Sequence, residues 1–375
     1  MKLIHGRGAK KEPTRMYHPE STQDIGMKTI ADMSEAIIGA AITSRRHLPI
    51  HSPNGTSRFD LGIQAITTLV QSPDHDVQNW ADIVAQYTTP AWSLATNDPI
   101  ANDRARLIAT KTGYTFRHPR LLRSAFTHSS DMNPPVPDLQ RLEFLGDAVL
   151  DWVCISWLFN TNPTRNPQWL TEHKMAMVSN KFLAALAITL DFDHLMFVTT
   201  AKLIADITTY ATKVRTALSN PSCPKNFWTE IESPPKALSD LVESYLGAVL
   251  VDSGFDYNEM ETFFNNHIKH FFENISDYDS FANRHPTTYL YKKLGQEYKC
   301  RDYGFPDLEP TEGKIETEIW AGVMVHGRCV ASSKGISAKY ARVRASKAAL
   351  AKLEGLTREE FRRVWKCDCP ARDGD

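Results

Sequence analysis

A chain of 375 residues with 42% hydrophobic and 23% charged residues has room for two or three domains and for real apolar cores. No apolar run reaches the length of a membrane span and the opening residues have no signal-peptide core, which argues against a membrane-embedded or secreted protein. An intracellular protein is expected, with nucleus and cytoplasm both open. The net charge of −1 conceals an asymmetry: residues 281–375 hold 18 Lys+Arg against 13 Asp+Glu, and residues 1–280 hold 25 against 31. A basic tail on an acidic body suits a polyanion grip beside carboxylate-rich cation sites.

Residues 1–20 are polar and basic. Helical spacing of Ile30, Met33, Ile37 and Ile38 predicts a helix over Lys28–Ala41, and a second is expected over Phe59–Val70 after a loop rich in Pro, Ser, Arg and Gly. The stretch 71–100, with Pro73, Pro90 and Pro99 around a short helix near Asp76–Tyr87, reads as a connector. From about Asp103 a new domain is expected. Its parts are a turn and helix through Gly113–Ser130, a proline-rich loop at Asn133–Pro137, and a helix beginning RLEFLGDAVLD at Arg141. Thr171–Leu190 reads as one continuous helix, whereas 195–232 has no clear period and suggests an insertion. Pro234–Asp256 then predicts a long amphipathic helix.

That last helix echoes the first. Lys28, Asp32, Glu35, Gly39 and Ala40 recur 208 residues later as Lys236, Asp240, Glu243, Gly247 and Ala248, and a Phe-Asp pair follows in each case, at 59–60 and 255–256. The chain holds two copies of one module, the first lacking anything like the opening helix RLEFLGD. After His285 the pattern changes to an amphipathic helix, an alternating hairpin over Glu316–Ser332, and a basic, alanine-rich helix over Ser337–Leu353.

The acids carry the chemistry. Glu143 and Asp147, four apart, share one helical face, and so do Asp240 and Glu243, three apart. Four carboxylates brought together repel unless divalent cations neutralise them, and Mg²⁺ suits oxygen ligands of this kind. Such a site fits two-metal phosphodiester hydrolysis. Lys236, one turn before Asp240, can offset phosphate charge or tune the acids, or be an ordinary solvated lysine. The tail holds Lys334, Lys339, Arg342, Arg344 and Lys347 with no acid over residues 331–350. Cys300, His326, Cys367 and Cys369 make up a Cys₃His set that suits zinc, or are free thiols with a nearby histidine. Cys329 is three residues from His326 on what reads as a strand, so only one of the two can serve. Cys154 and Cys223 read as packing residues, and His128 and His173 as structural.

RLEFLGDAVLD, with the THSS turn, the VSN segment at 178–180 and the DLVESYLGA helix, strongly resembles the ribonuclease III family over residues 103–275. Residues 22–70 resemble the second half of another such domain, and GISAKYARVRASKAAL at 335–350 resembles the final helix of a double-stranded-RNA-binding domain. Tandem copies before an RNA-binding tail resemble the C-terminal end of Dicer, and the 195–232 insertion fits a fungal Dicer-like protein. Two departures stand out: Gln140 where many bacterial members have Glu, and Ala338 where many RNA-binding domains have Lys.

The resemblance implies a mainly α fold, an all-helical nuclease domain with a partial first copy before a small α+β domain. The expected boundaries are 1–70 for the half domain, 71–102 for the connector, 103–280 for the complete nuclease domain and 281–375 for the RNA-binding domain. It implies Mg²⁺ or Mn²⁺ on Glu143, Asp147, Asp240 and Glu243, with Asp32 and Glu35 the remnant of a first site. Double-stranded RNA is the implied substrate, contacted by Lys334, Ser337, Lys339, Arg342 and Lys347. A second ribonuclease III domain, the missing first one or that of another copy, is the implied protein partner, and no membrane is. Some fungal Dicers close their RNA-binding domain with a zinc site, and the Cys…His…Cys-x-Cys order resembles it. The products implied are short duplexes with 5′-phosphates and 3′-overhangs, in RNA silencing or antiviral defence. The alternative is a fragment that binds double-stranded RNA without cutting it.

Overall fold

A computed structural model describes residues 26–46, 48, 56–231, 234–278, 286–308, 319–335 and 338–370. The chain divides into two units, one of residues up to Val149 with Leu195–Thr199 and Glu243–Asn265, the other of Leu150–His194, Thr200–Val242 and Asn266 onward. The divide falls inside two continuous helices, α6 (Gln140–Thr161) and α10 (Lys236–Asp252). Among the described residues no helix is long and apolar enough to cross a membrane.

The first unit begins with α1 (Met27–Ser44) and α2 (Asp60–Val70), close to the expected pair. Not one residue of α1 is buried, whereas α2 buries Asp60, Gly62 and Ile63. The expected connector is more structured than its prolines suggest. Its helix α3 (Trp80–Gln86) opens on a reciprocal capping box between Asn79 and Asp82, and Asp60 accepts the Trp80 N–H at 2.9 Å. Phe59 packs on Trp80 at 5.2 Å and edge-on to Tyr257 at 5.4 Å. In α4 (Pro99–Thr112), Pro99 sits in the first turn, Asp98 caps the start, and Gly113 ends the helix at φ 82°. Asp98 also takes the Arg123 guanidinium of α5 (Pro119–Ala125) with both oxygens at 2.8 Å. At the far end of α10 the buried Asp252 accepts from the Tyr114 hydroxyl and from the backbone N–H groups of Arg117 and His118. One carboxylate therefore ties down the Gly113–Pro119 turn.

The second unit contains α7 (Pro167–Met177), α8 (Asn180–Thr189) and α9 (Ala201–Leu218). The continuous helix expected over Thr171–Leu190 breaks at Val178–Ser179. Ser179 leaves the helical conformation and its hydroxyl accepts the Phe182 N–H, capping α8. The unreadable stretch 195–232 holds α9, which buries Ile207, Tyr210, Ala211 and Val214 at helical spacing. Thr208, Thr209, Thr212 and Thr216 blur that period; each hydroxyl donates to the carbonyl four residues back. Around Phe182 pack Trp228, Phe271 and Phe272, and Tyr278 lies against Trp228 and Phe272.

The C-terminal part of this unit is the small α+β element. After α11 (Tyr257–Phe263) of the first unit, helix α12 (Pro286–Lys292) runs into a π turn at Lys293–Glu297. Strands β1 (Tyr303–Gly304) and β2 (Asp307–Leu308) pair with one edge of β3 (Ile319–Val325), and β4 (Arg328–Gly335) pairs with the other, all antiparallel. Ala321, Val323 and Val325 alternate inward along β3. The buried cluster joins Leu290, Leu294, Tyr298, Val323 and Val325 to Ala345 and Ala349 of α13 (Ala338–Lys352) and to Leu353 just beyond it. Beyond the predicted elements lies α14 (Arg358–Trp365), whose Phe361 stacks on Tyr298 with centroids 4.1 Å apart. Its signal is local, Thr357 and Glu360 three residues apart forming a reciprocal capping box.

Candidate metal centre and nucleic-acid interface

Helices α6 and α10 approach each other backbone to backbone. A Cβ on Gly146 would stand 1.7 Å from the Glu243 carbonyl oxygen, and one on Gly247 2.1 Å from that of Leu142. Glycine at both positions makes the approach sterically feasible. The contact brings Glu143 and Glu243 side by side. Asp240 lies one turn before Glu243 on the same continuous helix, and the three offer carboxylate oxygens within 4.8 Å of one another.

Glu243 is buried and the Asp240 side chain is only 13% exposed. Each pair of like charges at that separation repels by roughly 3 kcal/mol at an effective dielectric of about 20. Lys236 offsets part of this, its ammonium 2.5 Å from Asp240. A cation among three oxygen ligands offsets the rest, so this donor set fits a hard divalent ion. Asp147, the fourth predicted acid, is exposed one turn beyond Glu143 and stands outside the 4.8 Å group.

Asp32 and Glu35 have a different setting. Both are exposed on α1, Asp32 holds Lys28 at 2.9 Å, and neither joins a metal-competent group among the described residues. A third group, Asp191, Asp193 and His194, is already answered by Arg215, whose guanidinium reaches Asp193 at 2.8 Å and Asp191 at 3.3 Å.

Cys300, His326, Cys367 and Cys369 converge, all four donor atoms lying within 4.8 Å of one another. The His326 Nε2 is 3.5 Å from both the Cys300 and the Cys369 sulfur. His326 is not in a strand as expected. It is the first residue of the two-residue turn between β3 and β4, at φ 47° with Gly327 at φ 68°, the left-handed pair that such a hairpin requires. The turn carries its ring to the sulfurs, while Cys329 faces away, exposed. Burial, with Cys367 and Cys369 adjacent, pushes the Cys300 thiol up to about 12. Burial acts the same way on Cys369, but backbone N–H groups of Arg301 and Asp302 outweigh it and hold that thiol below its ordinary value. Three thiols and an imidazole at such distances fit tetrahedral zinc.

On the basic element, Lys334 and Lys347 are exposed and Arg342 pairs with Asp307 at 3.2 Å on the surface. Ser337 and the Lys339 side chain lie outside the described residues.

Comparison with known proteins finds matches to two domain descriptions. The ribonuclease III domain description matches residues 140–254, which hold every member of the carboxylate group, and a dsRNA binding domain matches 278–355. Over residues 140–254 the chain is thus similar to ribonuclease III domains. Its relatives are Dicer-like. It is 43% identical to Dicer-like protein 1 of Aspergillus fumigatus over 98% of this chain and 23% of that one. It is also 43% identical to Dicer-like protein 1 of Aspergillus terreus, over 100% of this chain and 24% of that one. The chain thus spans about a quarter of the length of the curated relatives it matches. Among solved structures, the nuclease domain of ribonuclease III from Campylobacter jejuni is 25% identical, covering 43% of this chain and 96% of that one with a TM-score of 0.31.

Proposed function

We propose that this chain is the cutting and gripping end of a Dicer-like endoribonuclease that hydrolyses double-stranded RNA. The observation that carries the reading is the convergence of Glu143, Asp240 and Glu243 at a glycine-mediated helix crossing. These three, with Asp147 recruited from the exposed face of α6, hold Mg²⁺ or Mn²⁺. Held there, divalent ions would supply a water activated for attack and charge stabilisation of the phosphodiester oxygens. Glu243 and Asp240 are shielded from solvent, which keeps their ligand geometry fixed while substrate exchanges. Lys236, with its side chain 63% exposed, has room to turn from Asp240 toward a phosphate.

The remaining assignments follow from the same reading. Lys334, Ser337, Lys339, Arg342 and Lys347 contact RNA phosphates, giving recognition of duplex shape. Cys300, His326, Cys367 and Cys369 hold a structural zinc ion. The domains run 1–70, 71–102, 103–280 and 281–375. Asp32 and Glu35 are the remnant of a first site. Paired with a second ribonuclease III domain, from elsewhere in a longer chain or from another copy, the site cuts one strand while its partner cuts the other. The products are short duplexes with 5′-phosphates and 3′-overhangs, serving RNA silencing or antiviral defence.

A second reading, a double-stranded-RNA-binding module without cleavage, draws on the exposure of Asp147 and on an α1 with no buried residue. An end-labelled RNA duplex in Mg²⁺ separates them. Cleavage that Asp240→Ala abolishes supports the nuclease, with nicks or paired cuts reporting how many sites assemble. Equal binding and no cleavage by either protein sinks it.

A further inference from the structure

The two ring nitrogens of His326 keep different company. Nε2 points inward, 3.5 Å from both the Cys300 and the Cys369 sulfur. Nδ1 points outward, and two acids stand near it, Asp302 at 3.3 Å and Asp368 at 3.9 Å. A neutral imidazole has one N–H and one lone pair, and a hydrogen bond at one nitrogen decides that the other is free to ligate. With no acceptor at Nδ1 the proton is shared between both nitrogens, and the form protonated at Nε2 cannot bind a metal there. An acceptor beside Nδ1 therefore adds to the affinity of the whole cluster.

The two acids are held differently. The Asp302 carbonyl accepts the His326 backbone N–H at 3.0 Å and lies 3.5 Å from the Cys300 sulfur. Just before it, the Arg301 N–H donates to the Cys369 sulfur at 3.2 Å. These contacts tie the segment to the ligand residues themselves, so the Asp302 carboxylate starts from a fixed root. Among the described residues it meets no cation but His326 within ion-pair distance. Asp368 lies between Cys367 and Cys369 with its side chain 94% exposed, against 69% for Asp302. Asp302 needs only a few tenths of an ångström to reach an ordinary hydrogen-bond length of about 2.9 Å, whereas Asp368 needs about an ångström.

We propose that Asp302 is the positioning residue of the Cys300, His326, Cys367 and Cys369 site. Its carboxylate accepts the Nδ1–H of His326, fixes the tautomer that presents the Nε2 lone pair, and keeps the ring facing the sulfurs. The inference rests on the zinc reading above and deepens it by naming a residue outside the ligand set on which zinc affinity depends. Charge alone works against such a role: three thiolates outweigh a divalent ion, and a further carboxylate nearby repels that excess. The contribution of Asp302 therefore comes through the hydrogen bond, and an uncharged oxygen acceptor serves nearly as well.

Zinc affinity of the full chain, measured by competition with a chromogenic chelator, tests this. Asp302→Ala weakens zinc by about 10–100-fold, Asp302→Asn by less than about threefold and Asp368→Ala by less than about twofold. Cobalt in place of zinc gives ligand-field bands that report the bound nitrogen, and these shift in Asp302→Ala but not in Asp302→Asn. The urea midpoint of the metal-free chain stays the same in all three variants, since both acids are mostly exposed. Unchanged zinc affinity in Asp302→Ala overturns the proposal, as does an Asp302→Asn chain as weak as Asp302→Ala, or an equal loss in Asp368→Ala. A fall in metal-free stability that accounts for the lost affinity overturns it too, by making Asp302 a structural residue. A wild-type chain that binds no zinc overturns the zinc reading itself.

Discussion

Helices α1 and α10 carry the same five residues in the same frame, and the two environments could hardly differ more. The Lys–Asp pair closes in both, at 2.9 Å between Lys28 and Asp32 and 2.5 Å between Lys236 and Asp240. Yet the Asp32 side chain is 56% exposed and that of Asp240 13%. Gly39 would meet nothing within 4 Å if it bore a Cβ, whereas its counterpart Gly247 abuts a carbonyl of α6. Glu35 faces water and Glu243 is buried against Glu143. The difference teaches that the repeated pattern specifies a helix with acids on one face, while a partner helix is what brings those acids together with a third carboxylate.

The sharpest way to test that contrast is at the two glycines. Gly247→Val drives two methyls into the Leu142 carbonyl and is expected to cost on the order of 4 kcal/mol or more, with cleavage lost, as urea titration and activity together report. Gly39→Ala should instead stabilise α1 by about 0.5–1 kcal/mol, because alanine is the better helix former and the site is open. A destabilising Gly39→Ala would break the comparison by revealing a packed surface on α1.

Next come the acids. Glu243→Gln removes a buried member of the group and should lower duplex cleavage at least a hundredfold, while Glu35→Gln leaves the rate within twofold. A large loss at Glu35 would mean that α1 completes a site after all.

Asp98 offers a buried pair away from both helices. Burial opposes its ionisation, but the Arg123 guanidinium and the Ala101 N–H outweigh burial and hold the carboxyl below the ordinary range. A lowered folded value means that this stabilisation is present above the unfolded pKa of about 3.9 and is lost as pH falls through the folded one. Asp98→Asn should therefore cost about 3 kcal/mol at pH 7 and progressively less in acid, read from chemical denaturation at several pH values. An unchanged gap at pH 3 would rule out the charge as its source.

The smallest effect is expected at Lys28→Ala. Its pair with Asp32 is exposed on both sides, so stability should move by no more than about 0.5 kcal/mol.

Much of this was legible beforehand because it is local. The i, i+4 spacing of Glu143 and Asp147, the 208-residue echo, and the alternation in β3 each follow from one element's own period. Features that needed a tertiary partner were misjudged. Ser179 could have been mid-helix until its hydroxyl took the Phe182 N–H, and the threonines of α9 hid a buried stripe that only the neighbouring core makes meaningful. His326 read as a strand residue because it lies inside the alternating stretch Glu316–Ser332, and its positive φ belongs to the turn rather than to the residue type.

By itself, then, the sequence determined which faces of its periodic helices carry acid or base, and which Cys and His residues offer ligand chemistry. These depend on spacing along one chain and on side-chain chemistry. Tertiary structure alone decided that Glu143 meets Glu243 while Asp147 stays outside, that Cys300 meets Cys369, and that α10 is buried where α1 is not. Distances between residues far apart in the chain are set by backbone packing, and no periodicity within either segment encodes them.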